Sequence, residues 1–442
     1  MRARFAIVLV TSVLLAGCTS SAQPTDEPSA SSPAGLAPSV APVASTVPSP
    51  SIAATESAEP SVAPSSPPST TPLAWKEIAR KAGGAIAGFS GGYVTLPDSG
   101  VDAKVLYSPD GASWKSVILP FPDSTDAHGD GFAAFTEAVA SNGTQVIVVG
   151  GYSHAPCTTS KGLAGGGPPC ASSPIAWVTS DGTHWKSSYP WPGPGPAKGF
   201  TQGNEFLSAW SIPGSGWDAA SMDISGEAGS SGGVFHSADG MRWTKVTSPS
   251  PDHAGADRLE LWHLGLADAT GRQLIGGYWY PNGNSLLGLF TSADVKAWSP
   301  VTTFNGADTS VGSGVAPIDS LRPLWVIAGS DTNSLPTVWT SPDLVSWTAH
   351  ELPTLPGAQG SVNTVAATHL GYVAVGQLSD GTDGSAYHSS WVSADGQSWT
   401  QIDTPSAPDG DGPDNLADGP GGVVGFAWYN GSTTPVGVWQ LK

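Results

Sequence analysis

"WVSADGQSWTQI", Trp391–Ile402, holds an alternating apolar stretch, then Ser-Ala-Asp-Gly, then a tryptophan three residues past the glycine. The phrase recurs as "YSPDGASWKSV" (Tyr107–Val117), "WVTSDGTHWKS" (Trp177–Ser187) and "VFHSADGMRWTKV" (Val234–Val246). It returns as "LFTSADVKAWSPV" (Leu289–Val301) and "VWTSPDLVSWTAH" (Val338–His350). The aspartates Asp110, Asp181, Asp239, Asp294, Asp343 and Asp395 are spaced by 71, 58, 55, 49 and 52 residues. Each is followed four positions later by a tryptophan: Trp114, Trp185, Trp243, Trp298, Trp347 and Trp399. A repeat of this length, one supersecondary unit per copy, indicates a propeller or a solenoid.

The phrase has the chemistry of a hairpin. Aspartate at the turn entrance accepts bonds from the N–H groups just ahead, and glycine supplies backbone angles that other residues resist. The Ser or Thr two positions earlier adds a weaker local bond. The tryptophan opens a short strand and offers a large apolar surface for packing against the next unit. The motif is therefore a structural staple and not an active site.

Composition agrees. Only 12% of the 442 residues are charged, and 56 Gly and 40 Pro punctuate short apolar runs such as "QVIVVGGY", "QLIGGYWY", "LWVIAGS" and "GYVAVGQ". Short strands with frequent turns indicate an all-β domain. The net charge of −19 becomes −21 once Arg2 and Arg4 leave with a signal peptide. Such a surface repels phosphate backbones, so nucleic acid is excluded as a partner.

The start reads as an address. "MRAR" is basic, "FAIVLVTSVLLAG" is apolar and too short for a good membrane span, and Cys18 follows in "LAGC". Leu15, Ala16, Gly17 and Cys18 resemble the lipobox of bacterial lipoproteins. That resemblance implies a signal peptide over 1–17, a lipidated Cys18 and a place on the outer face of the cell membrane. Residues 19–72, rich in Ser, Pro and Ala, cannot bury a core and are expected to form, with Cys18, a disordered tether spanning roughly 40 Å. Cys157 and Cys170 flank a Gly-rich loop, and outside the membrane an oxidised pair is expected.

Six staples define six sheets, with a part-unit at each end. "VVGFAWYNGSTTPVGVWQLK" (Val423–Lys442) reads as the two middle strands of a unit, and "LAWKEI" (Leu73–Ile78) as its last, with Trp75 in the place of Trp114. Joined, they make a seventh sheet and leave no open edge. The expectation is a single seven-bladed propeller of four-stranded blades over 73–442.

With those repeats in hand, the motif resembles the Asp-box (BNR) repeat of sialidase-type propellers, also found in xyloglucan-degrading glycosidases, sortilin-like receptors and a photosystem II assembly factor. Two departures suggest a divergent branch. The usual form is S-x-D-x-G-x-T-W, one residue longer from Asp to Trp. Val295 and Leu344 also replace the turn glycine, which implies turns that need no positive φ there.

The sialidase resemblance would imply a three-arginine carboxylate clamp and a Tyr–Glu pair. Beyond the tether only Arg80, Arg242, Arg258, Arg272 and Arg322 remain, and Arg242 lies in a staple, so an exo-sialidase is disfavoured. Acidic loops between units, "DSTDAHGDG" (Asp123–Gly131), "PDHAGADRLE" (Pro251–Glu260) and "PDGDGPDNLADG" (Pro408–Gly419), offer carboxylates such as Asp126, Asp130, Asp252 and Asp411. Asp409, Asp411, Asp414 and Asp418 resemble a calcium loop weakly, but Pro413, Asp414 and Pro420 fall on the wrong positions. These aspartates, like those around His128 and His253, read as solvated turns, with no metal or cofactor.

Aromatic and imidazole side chains cluster after the second strands: Tyr152 and His154, Trp279 and Tyr280, Tyr387 and His388, Trp428 and Tyr429. Rings for stacking beside acids for hydrogen bonding suit a sugar or peptide. The sequence thus points to a monomeric, lipid-anchored module binding glycan or protein. The alternative is a glycoside hydrolase with paired carboxylates.

Overall fold

The computed structural model describes residues 73–442 apart from 82, 98–102, 122–131, 155–171, 193–203, 224–232, 248, 250–255, 282–285, 302–310, 381–385, 405–411 and 428–435. Cys18, Cys157, Cys170, Asp126, Asp130, Asp252, Asp411 and Trp428 lie outside the described residues. The protein is a seven-bladed β-propeller, and each blade is a four-stranded antiparallel meander.

Blade 1 holds β2 (Ile86–Phe89), β3 (Gly92–Thr95), β4 (Lys104–Ser108) and β5 (Lys115–Ile118). Blade 2 holds β6 (Phe132–Ser141), β7 (Val146–His154), β8 (Ser172–Thr179) and β9 (Lys186–Ser187). Blade 3 holds β10 (Asn204–Ile212), β11 (Gly216–Asp223), β12 (Gly233–Ser237) and β13 (Thr244–Val246). Blade 4 holds β14 (Ala256–Ala267), β15 (Gln273–Pro281), β16 (Leu286–Ser292) and β17 (Ser299–Pro300). Blade 5 holds β18 (Val311–Val315), β19 (Trp325–Ser330), β20 (Pro336–Ser341) and β21 (Thr348–Glu351). Blade 6 holds β22 (Gln359–Thr368), β23 (Gly371–Ser379), β24 (Ala386–Ser393) and β25 (Thr400–Ile402). Blade 7 joins β26 (Asn415–Gly419), β27 (Gly422–Phe426) and β28 (Val436–Leu441) to β1 (Trp75–Lys81).

Closure follows the expected route, with the N-terminal strand running to Lys81 and not ending at Ile78. Trp75 pairs with Leu441, and Ala74 and Lys442 exchange backbone bonds of 2.9 and 3.1 Å. Val423 faces Leu441 as Tyr93 faces Ser108, so Trp75 stands in the register position of Trp114. Its indole Nε1 donates to Ser390 Oγ of blade 6 at 3.0 Å.

The first strands, β2, β6, β10, β14, β18, β22 and β26, touch one another in succession around the ring and line the central channel. The meander sorts the connections onto two faces. Turns between first and second strands and between third and fourth strands share one, the staple face. Turns between second and third strands and the links between blades share the other, the crossover face.

All six aspartates form the expected turn. Asp110 Oδ1 accepts Ala112 N and Ser113 N at 2.9 and 2.8 Å, and Asp395 Oδ1 accepts Gln397 N and Ser398 N at 2.8 and 2.7 Å. These N–H bonds, led by Ser398, hold the Asp395 carboxyl down at about 2. The tryptophans pack, however, against the preceding blade and not the next. The Trp114 ring meets Phe426 of blade 7 at 5.0 Å, and buried Trp243 joins the Ile147 and Val149 cluster of blade 2. The core is therefore a circle of seams between blades, each wedged by large side chains.

The two glycine-less staples correct a second expectation. Val295 (φ 55°) and Leu344 (φ 68°) adopt the same left-handed conformation as Gly111 (φ 80°) and Gly396 (φ 77°). Turn geometry overrides residue preference here, at a strain of roughly 1–3 kcal/mol each. Leu344 recovers it by burial at the blade 4–blade 5 seam, while Val295 is only half-buried. Val295→Gly should therefore raise unfolding stability by about 1 kcal/mol, and Leu344→Gly should lower it by roughly 2 kcal/mol or more. Denaturant midpoints check both, and a loss of stability in Val295→Gly contradicts the strain argument.

Candidate functional site

A shared irregularity sits in the strands that line the channel. The register of the first strand slips between Thr136 and Ala138, Phe206 and Ser208, Val311 and Ser313, and Val362 and Thr364. All four slips lie at one level of the ring. They leave Glu137, Leu207, Gly312 and Asn363 as extra residues. Blade 4 slips at the same level, between Leu261 and Gly265. Bulges of this kind gather beside binding sites, where they re-aim side chains. In blades 2 and 6 the second strand accommodates the slip with glycine. A Cβ on Gly150 would stand 2.1 Å from Phe135 O, and one on Gly376 2.1 Å from Ser361 O.

On the blade 2 bulge, burial first and then the nearby Glu205 charge push the Glu137 carboxyl up to about 7. Glu205, near the crossover-face start of β10, is itself raised by burial. Its Cβ packs beside Gly151, at 3.1 Å from where a Cβ there would stand. Two adjacent first strands thus bring together a carboxyl half-protonated at neutral pH and a second acid. Sequence reasoning missed both. A single Glu in an apolar strand carries no pattern, and the available signal was the glycine inside the second strand.

The blade 6 bulge serves a different pair. Asn363 Nδ2 donates to Asp414 Oδ1 at 3.2 Å, and Ser361 Oγ donates to Asn363 Oδ1 at 3.1 Å. Asp414 also lies 3.4 Å from His388 Nδ1, and both side chains are buried. A Cβ on Gly412 would fall 2.3 Å from His388 Cγ, so Gly412 packs directly against the imidazole. Asp418, on the staple-face end of β26, accepts His369 N at 2.7 Å and contacts His369 Nδ1 at 2.9 Å. Neither aspartate is the free, solvated acid that the sequence suggested: burial and imidazole neighbours occupy both.

The aromatic residues lie at strand ends of the crossover face. Tyr152 and His154 end β7, Trp279 and Tyr280 fall in the last residues of β15, and Tyr387 and His388 begin β24. The Tyr152 ring is engaged by Phe121 and Tyr189 at 5.7 and 5.1 Å, and Tyr387 packs against the blade 5–blade 6 core. These two rings therefore serve the seams.

Arginines sit elsewhere. Arg272 pairs with Asp268, and Arg322 with Asp319, both in staple-face turns, while Arg80 pairs with Glu77 on the outer strand of blade 7. A carboxylate clamp does not form from these. Among the described residues no group of three or more His, Cys, Asp or Glu is placed to hold a metal ion.

No protein-family model matches the chain, and neither does any curated protein. Among solved structures it is similar to a Trypanosoma rangeli sialidase mutant displaying trans-sialidase activity, at 10% identity over 82% of this chain and 54% of that one, TM-score 0.41. The chain thus spans about half the length of that sialidase. It is also similar to a GH130-family protein from work on glycoside hydrolases that target β-1,2 mannosidic linkages in Candida mannan, at 12% identity, 85% and 96% coverage and TM-score 0.35. An Aleuria aurantia lectin mutant in complex with Fucα1-6GlcNAc is similar at 12% identity, 70% and 94% coverage and TM-score 0.35. These likenesses concern the propeller fold alone.

Proposed function

We propose that this protein is a carbohydrate-binding propeller of a divergent Asp-box type, carried on the outer face of a bacterial membrane by lipid on Cys18. The observation behind the binding reading is the Glu137–Glu205 pair on neighbouring first strands, with Glu137 poised near neutrality. One such acid donates a hydrogen bond while its partner accepts, the combination that vicinal hydroxyls require. The acidic surface favours uncharged or amino sugars over sialic and uronic acids. The anchor reading rests on "LAGC" and the Ser/Pro/Ala stretch after it. β1 begins beside Lys442 on the staple face, opposite the crossover-face start of β10 that carries Glu205.

A second reading has the same pair as its basis. One protonated and one ionised carboxyl are what glycoside hydrolysis asks for. Both are tested with the soluble domain, residues 70–442, on a saccharide array and in a reducing-end assay. Binding through the Glu137 proton should be strong at pH 5 and fall several-fold above about pH 7. Glu137→Gln, which cannot ionise, should flatten that dependence, and Glu205→Ala should weaken binding about tenfold. Parent binding that is unchanged from pH 5 to 9, or unaffected by Glu205→Ala, contradicts the proposal. Reducing-end release that vanishes in Glu137→Gln replaces it with the hydrolase reading.

A further inference from the structure

Around the staple face, hydrogen bonds and ring contacts tie each blade to the next. Ser90 N donates to Gly143 O at 2.8 Å between blades 1 and 2. Trp210 Nε1 donates to Gln273 Oε1, and Gln273 Nε2 to buried Asp218, between blades 3 and 4. The Arg272 guanidinium lies over the Trp325 ring between blades 4 and 5. Arg322 Nη1 donates to Thr368 O between blades 5 and 6, His369 meets Asp418 between 6 and 7, and Tyr93 Oη donates to Gly422 O between 7 and 1. Among the described residues, the seam between blades 2 and 3 differs. There the two turns stand apart around a groove of about 530 Å³.

The groove is chemically distinctive. Asn142, Thr144 and Gln145 form one wall, and the turn from Ser211 to Gly216 forms the other, over buried Trp217. None of its lining residues is ionisable. The side chains of Gln145, Ser211 and Ser215 make no hydrogen bond to other described residues. Both turns close their own backbone bonds, Asn142 N to Gln145 O and Ser215 N to Ile212 O, so neither offers an open strand edge to a peptide. The Asp239 carboxylate follows the lining residue Ala238 and opposes anions. The volume lies within the range of about 300–1,000 Å³ usual for small-ligand sites.

We propose that this groove is a second carbohydrate site, on the face opposite the Glu137–Glu205 pair, and that it takes an uncharged oligosaccharide. Amide and hydroxyl groups side by side match vicinal sugar hydroxyls, and exposed Pro213 offers an apolar edge to a pyranose ring. A propeller with sites on both faces bridges two glycan chains.

The test uses the 70–442 domain carrying Glu137→Gln and Glu205→Ala, so that the crossover-face contribution is weakened and independent of pH. It is applied to printed uncharged, sialylated and uronic-acid oligosaccharides and to an unmodified peptide library. The proposal expects retained binding of uncharged oligosaccharides only. Adding Gln145→Ala with Ser215→Ala should weaken it at least tenfold at an unchanged melting temperature. Ala238→Trp, at a position where the other staples hold Pro, Ser or Ala, should block it. Absence of retained saccharide binding, equal binding by the Gln145→Ala, Ser215→Ala variant, or capture of peptides instead overturns it.

Discussion

Removing residues 73–81 from the soluble domain should leave a protein that fails to fold or unfolds at far lower denaturant. The strand pairs along the whole of β28, at six positions, and the residues of β28 are buried throughout. It also seats Trp75, 5% exposed, in the blade 7 core and ties it to Ser390 of blade 6. Without it, the fully buried β28 becomes the exposed outer edge of a three-stranded blade, where the other blades present a fourth strand. Trp75→Ala alone should lose roughly 3–5 kcal/mol, the range for a buried indole. Deleting residues 23–60, which precede the propeller, should leave the unfolding curve in place. Equal behaviour of the two truncations contradicts closure through β1.

Closure and blade number were legible because they rest on repeated chemistry. Each Asp-x-x-x-Trp phrase fixes a turn by bonds within four residues, and six copies make the pattern audible above composition. Trp75 was readable for the same reason, as the last element of a broken seventh unit. Direction of packing was not: a tryptophan announces a seam without saying which neighbour it enters. Val295 and Leu344 misled because residue preference predicts the conformation of an isolated turn, whereas flanking strands held in register dictate it in the blade.

The candidate site was less legible still. A bulge adds one residue to a strand without altering its alternation enough to notice in "FTEAVAS", Phe135–Ser141. Only the partner strand betrays it, through Gly150 and Gly376, whose missing Cβ makes room for the displaced backbone. Asp414 and Asp418 looked exposed because acidic, Gly-rich sequence usually is. Their imidazole partners lie 26 and 49 residues away in sequence and are brought near by the ring.

The functional account stands on one electrostatic statement, that Glu137 stays protonated close to neutral pH because it is buried beside Glu205. A carboxyl with a folded value near 7 and an ordinary value of 4.5 adds stability in full below about pH 4.5 and loses it as pH rises through about 7. A rise of that size corresponds to roughly 3 kcal/mol. Glu137→Gln carries no such charge and should lack that loss, becoming the more stable protein above pH 7. The staple aspartates act at the other end: their depressed values add stability above about pH 4 that is lost as pH falls toward 2. The deciding measurement is therefore the unfolding free energy of the 70–442 domain between pH 4 and 9, for parent and Glu137→Gln. The account predicts a parent curve that falls by roughly 3 kcal/mol relative to the variant across pH 4.5 to 7. Parallel curves would show an ordinary, ionised glutamate at position 137 and contradict it.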